Sequence, residues 1–109
     1  MVTCKDGVRF KAFTPALVRI LAVVLDADRH FPEHMVITSA NDATHAPTSA
    51  HYRDEAIDLR CNDRPKHVDL ELCRFLEGTL GPRFLVLYEG AGTPNEHIHI
   101  QLRKGAHWP

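Results

Sequence analysis

Apolar residues recur along this chain with two different periods, and the changes between them divide it into elements. From Pro15 onward, Leu17, Ile20, Leu21, Val24 and Leu25 return at intervals of three and four, the spacing that places side chains on one face of a helix. Thr14 supplies an N-cap and Pro15 the first helical position, so a helix is expected to about residue 29. The period then shortens. Residues 34–40 (HMVITSA) carry a β-branched apolar run and read as a buried strand. A turn-rich stretch, NDATHAPTSA, follows, and residues 55–61 (EAIDLRC) form a second short strand. Pro65 opens a second helix with Val68, Leu72, Phe75, Leu76 and Leu80 on one face, and Gly81 and Pro82 stop it. Residues 83–90 (RFLVLYEG) are a third strand, which the Gly/Pro loop AGTPN returns as a hairpin into residues 96–103 (EHIHIQLR). The expected architecture is α+β, a small antiparallel sheet with two helices packed on it.

In the last strand, His97, His99, Gln101 and Arg103 share one side, and Ile98, Ile100 and Leu102 share the other. Taken alone this is a half-buried strand whose polar face meets solvent, because two histidines one residue apart are a weak metal signal. Composition narrows the setting. A chain of 109 residues is one domain. With 13 Lys plus Arg against 14 Asp plus Glu it has no basic footprint, so no nucleic-acid partner is expected. The longest apolar candidate, residues 16–27, is interrupted by Arg19 and Asp26, so no membrane span is expected, and MVTCKDGVRF lacks an apolar signal core. Cys4, Cys61 and Cys73 have no CxxC spacing and read as reduced, mostly buried thiols. Eight histidines are the one unusual item of composition.

The stretch TSAHYRDEAIDLR gives those histidines a context. His51 and Asp58 are seven residues apart; on a helix they would be separated by roughly 10 Å, too far for two ligands with bonds of about 2 Å to one zinc ion. Tyr52, Arg53 and Asp54 instead offer a turn, after which AIDL extends and brings Asp58 back opposite His51. With a histidine from HIH, the pair makes a His/Asp/His set that leaves a fourth tetrahedral position open, the catalytic form of a zinc site.

These residues resemble the zinc D-Ala-D-Ala carboxypeptidases, to which the amino-terminal domain of hedgehog proteins is structurally related. That pattern is S-x-H followed seven residues later by D, with alanine two before the aspartate, then a helix, a strand ending near a glutamate, and an H-x-H strand. Here the elements are Ser49, His51, Ala56, Asp58, the helix after Pro65, VLYEG with Glu89, and HIH, spread over residues 45–103. The resemblance implies one Zn2+ per chain, held by His51, Asp58 and His99, with His97 as the neighbouring histidine that stabilises an oxyanion. His45, six before His51, matches a histidine that supports the ligands in the hedgehog pattern. Two carboxylates compete as general base. Glu89 closes the third strand, and Glu96 stands three before His99; strand alternation turns Glu96 away from His97 and favours Glu89.

The chain departs from the family at two places. Asp54 stands where a glycine is usual, and Ala40, Asn41 and Asp42 follow VITS where many members carry an arginine; Arg53 and Arg103 are the cations available to replace it. The implied activity is hydrolysis of peptidoglycan stem peptides, as a D-Ala-D-Ala carboxypeptidase or an L-Ala-D-Glu type endopeptidase. A monomer is expected, with no nucleic-acid or membrane partner, either as a phage or bacterial protein that reaches the wall after release or as a domain borne on a larger particle. The rival reading is a non-catalytic module that keeps zinc for stability and binds a wall fragment or a protein partner.

Overall fold

Thr14 caps the first helix as its place before Pro15 predicts. Its Oγ1 accepts from the Leu17 amide at 3.1 Å, and α1 runs Pro15–His30. The structure, a computed structural model, describes residues 1–42 and 49–109. A two-residue strand β1 (Thr3–Cys4) precedes α1, and β2 (Val36–Ser39) follows it. A 3-10 turn (Ala50–Arg53) leads into β3 (Ala56–Arg60), and then come α2 (Lys66–Leu80), β4 (Phe84–Glu89) and β5 (His97–Leu102). Each expected strand is present, shorter by one or two residues at its ends.

The five strands form one sheet in the order β1-β2-β3-β5-β4. The pairs β2/β3, β3/β5 and β4/β5 are antiparallel, whereas β1 and β2 are parallel, so the sheet is mixed rather than purely antiparallel. A parallel neighbour needs a long crossover, and α1 provides it. The Thr3 and Lys5 amides donate to the Met35 and Ile37 carbonyls at 3.1 and 2.8 Å. Two residues are too few to show a strand period in the sequence, which is why β1 went unpredicted.

Both helices cover one face of the sheet. Leu17, Ile20, Val24 and Ala27 of α1 and Leu72, Leu76 and Leu80 of α2 pack with Ile57 and Leu59 of β3, Phe84 and Val86 of β4, and Ile98, Ile100 and Leu102 of β5. The buried arc of α1 also takes in Ala16 and Val23, so Leu25, expected on it, is 53% exposed. The face of α2 is centred one residue from the expected stripe and includes Asp69 and Cys73.

Register sets the composition of the other face. Asp58 pairs with His99 and His99 with Leu87; one step along, Arg60 pairs with His97 and His97 with Glu89. Because side chains alternate, paired residues point the same way. Two cross-strand rows, Asp58–His99–Leu87 and Arg60–His97–Glu89, therefore lie side by side on the face without helices.

Candidate metal centre

His51 reaches that face from the 3-10 turn, and local chemistry holds the turn. Ser49 Oγ accepts from the His51 amide at 3.2 Å. At its far end Asp54 adopts φ 56° and ψ 41°, a left-handed conformation that favours glycine and that aspartate and asparagine tolerate better than other side chains. Asp54 stands where the family pattern has glycine, and its side chain adds a contact that glycine lacks: Oδ1 accepts from Asn41 Nδ2 at 2.8 Å. Its carbonyl accepts from Thr14 Oγ1 at 2.7 Å, so one threonine both caps α1 and anchors the turn.

Between β2 and β3 the register slips, with Ile37 opposite Leu59 but Ser39 opposite Asp58, a bulge of the kind that re-aims a strand. Just beyond it, the Ala40 carbonyl accepts from His51 Nδ1 at 2.6 Å. This bond fixes the tautomer: with the proton on Nδ1, Nε2 presents its lone pair. His99 is fixed in the opposite sense. Its Nε2 donates to Gln101 Oε1 at 2.8 Å, and the Gln101 amide is oriented by its own donation to the Leu102 carbonyl at 3.1 Å, which leaves His99 Nδ1 as the lone-pair nitrogen.

These two nitrogens meet a carboxylate oxygen. His51 Nε2 lies 3.3 Å from Asp58 Oδ1 and 3.3 Å from His99 Nδ1, and His99 Nδ1 lies 2.9 Å from Asp58 Oδ1. Three donors each about 2 Å from a tetrahedral zinc ion stand roughly 3.3 Å from one another. The triangle fits that requirement, and the outer hydrogen bonds to Ala40 and Gln101 are the supports that metal-ligating histidines typically have. Three lone pairs facing inward call for a cation at their centre. Burial would raise the Asp58 carboxyl, but its contacts with the His51 and His99 nitrogens and the charges of His51 and His97 hold it well below the usual carboxylate range, so Asp58 faces the two rings as an anion. Burial opposes charge on His99, and the Asp58 and Gln101 contacts override it and raise the imidazole, so a proton shared between His99 Nδ1 and Asp58 competes with a metal ion for this place. The residues present can hold a metal ion.

Beside the triangle, His97 donates from Nδ1 to the Asn95 carbonyl at 2.7 Å, which turns Nε2 toward Glu89 Oε1, 3.3 Å away. The hairpin makes this possible at Gly90: its φ is 69°, and a Cβ there would lie 2.7 Å from the Asn95 oxygen. Glu96 is on the opposite face, where it accepts from the Cys61 thiol at 3.8 Å and from the Gly92 amide at 3.0 Å. Arg53 Nε donates to Glu55 Oε1 at 2.9 Å. The strand ends at Leu102, so Arg103 leaves the histidine face, and its Nε donates to the Pro82 carbonyl at 3.0 Å. His45 lies outside the described residues.

A polar cavity of about 460 Å³ opens against Asp58 and His97, and its lining includes Lys5, Thr38, Arg60 and Asn62. Arg60 and Lys5 were not singled out in the sequence. For Arg60 the signal was available: it is two residues after Asp58 on one strand and so shares its face. Gln101, two after His99, was legible in the same way. Lys5 depends on the parallel edge strand and had no signal. No family model matches the chain, and no curated protein matches it in sequence.

Proposed function

We propose that this chain is a zinc-dependent peptidase that acts on peptidoglycan stem peptides, with Zn2+ held by His51, Asp58 and His99. The observation that carries the metal reading is the convergence of His51 Nε2, His99 Nδ1 and Asp58 Oδ1, each within 3.3 Å of the others, while the far nitrogen of each imidazole is committed to an oxygen acceptor. The peptidase and its substrate class rest on the resemblance of the SxH, D and HxH elements to the zinc carboxypeptidases. An ion bound there supplies a Lewis acid for the scissile carbonyl and a lowered pKa for water.

The chain's own groups divide the remaining work. Glu89, with Oε1 3.3 Å from His97 Nε2, accepts the proton released when water attacks. His97, whose other nitrogen is tied to Asn95, takes up a proton at Nε2 and in that form donates to the developing oxyanion. Arg60 and Lys5 line the adjoining cavity with Asp58 and Glu96; with Asp58 committed to the ion, Arg60 is placed to hold a substrate carboxylate with two parallel hydrogen bonds.

The test is metal analysis of the purified chain together with hydrolysis of short peptides that contain D-Ala-D-Ala or an L-Ala-D-Glu bond. Zinc-dependent cleavage, lost with chelator and restored by Zn2+, is the expected result. Zinc bound through the three residues without hydrolysis of any such peptide would replace this reading with that of a binding module.

A further inference from the structure

The helix-covered face of the sheet holds a second group of ligand-type side chains, at the same end of the strands as the first. Cys61 directly follows β3, Glu96 directly precedes β5, and Asp69 lies in the first turn of α2. One ligand atom from each, a sulfur and two carboxylate oxygens, lies within 4.8 Å of the others. Cys61 and Asp69 are both 0% exposed.

Asp69 is the anomaly in this group. Among the described residues neither of its carboxylate oxygens has a hydrogen-bond partner, although buried carboxylates are normally paired and fully hydrogen-bonded. The cation beside it, Arg64, has Nε 3.4 Å from Asp69 Oδ1 but makes no hydrogen bond with that nitrogen. One Arg64 Nη donates instead to the Arg60 and His34 carbonyls. Arg64 thus supplies charge and leaves the Asp69 lone pairs unmet. Burial, reinforced by the carboxylates of Glu96, Asp63 and Glu33 against the pull of Arg64, pushes the Asp69 carboxyl up to about 6, the mark of an anion short of compensation.

We propose that Cys61, Asp69 and Glu96 form a second metal site for a zinc-class divalent ion, structural in role because Asp69, with both oxygens unmet, can bind through both and close the fourth position. Thiolate sulfur with carboxylate oxygen is a donor set such ions accept. On binding, the Cys61 S–H bond gives way to a sulfur–metal bond and the proton leaves to solvent. Three anionic ligands are then balanced by the divalent ion and Arg64, and the buried group carries no net charge. The ion joins the end of β3, the start of β5 and α2 from behind the strands that present Asp58 and His97, and so stiffens the frame of the first site.

Cobalt(II) titration of metal-depleted Cys4→Ala protein tests this, because the His51, Asp58 and His99 set contains no sulfur and Cys4 is the exposed thiol. Two equivalents should bind, one of them bringing a sulfur-to-cobalt charge-transfer band in the near ultraviolet. Adding Cys61→Ser or Asp69→Asn should each remove that band and one equivalent, with the sulfur-free equivalent and the far-ultraviolet circular dichroism retained. Should Cys61→Ser not fold, the parent titration and Asp69→Asn decide the matter. Saturation without a sulfur band, or a band that survives in Asp69→Asn or in folded Cys61→Ser, overturns the proposal. A band with no sulfur-free equivalent would support it and sink the His/Asp/His reading instead.

Discussion

His51 Nε2 lies 3.3 Å from His99 Nδ1, although 48 residues separate the two rings in sequence. In the neutral form neither nitrogen has a proton to give the other, since each ring's proton is held on its far side by the Ala40 carbonyl or the Gln101 amide oxygen. The contact becomes favourable with a positive charge between the rings, a metal ion or a proton on His99 Nδ1.

His99→Ala and His51→Ala should therefore each lose the sulfur-free metal equivalent and the peptidase activity together. His107→Ala, on the C-terminal segment, should keep both. Metal content and rate measured on the same preparations check this; full occupancy in the His99 variant would remove His99 from the ligand set.

Glu89→Gln should retain the metal and lower kcat by a factor on the order of 100 or more, because an amide cannot take the proton of water. Glu96→Gln, on the other face, should leave kcat within a few-fold of wild type. The reverse ranking would move the base to Glu96 and require the hairpin to rearrange on substrate binding.

Arg60→Ala should raise KM for substrates with a free terminal carboxylate while changing kcat little, and amidating that terminus should abolish the difference. Arg103→Ala and Arg53→Ala, whose guanidinium groups bond to Pro82 and Glu55, should show no such selectivity. Equal cleavage of amidated and free peptides by the wild type would favour endopeptidase action.

Asp54→Gly should change stability by less than about 1 kcal/mol, because relief of the left-handed strain offsets loss of the bond from Asn41. Asp54→Ala loses the bond and keeps the strain, and should cost about 1–2 kcal/mol. Denaturant midpoints for the two variants give the ranking, and an alanine variant as stable as the glycine one would mean that the turn carries no strain.

In chelator-treated folded protein at pH 8, alkylation should label Cys4 quickly and the other two cysteines slowly. The thiolate is the reactive form. Burial, then the charges of Asp69 and Glu96, pushes Cys61 up to about 12, and burial with Glu77 and Asp69 pushes Cys73 up to about 11. Both stay protonated well above pH 8, so labelling should reach all three thiols only after unfolding. More than one fast thiol in the folded chain, counted by mass spectrometry, would contradict the burial of this end of the core.

Much of the first site was legible because strand alternation is a local rule. Once residues 96–103 read as a strand, His97 and His99 had to share a face and Glu96 had to leave it. That Asp58 would stand opposite His99 needed the pairing of β3 with β5, which no spacing along the chain encodes. The second cluster escaped for the same reason: Cys61, Asp69 and Glu96 come from three elements with no recurring interval. It did leave two faint traces, a glutamate on the apolar side of a strand and an aspartate in step with Leu72, Cys73 and Leu76 on α2. Asp54 shows the limit of motif reading, since a residue that departs from the glycine of the pattern this sequence resembles still adopts the left-handed conformation that glycine favours.

The placement of β5 between β3 and β4 also governs timing. A ribosome releases the chain from its amino end, so both helices and four of the five strands emerge before residues 97–102. Until then β3 and β4 have no common neighbour, and the core lacks Ile98, Ile100 and Leu102. An emerging chain holds His51 and Asp58 but cannot close the triangle around an ion, because the third ligand arrives on the strand that completes the sheet. On the proposed reading, metal capture is coupled to the last folding step, and a half-made chain lacks the centre that a peptidase would need.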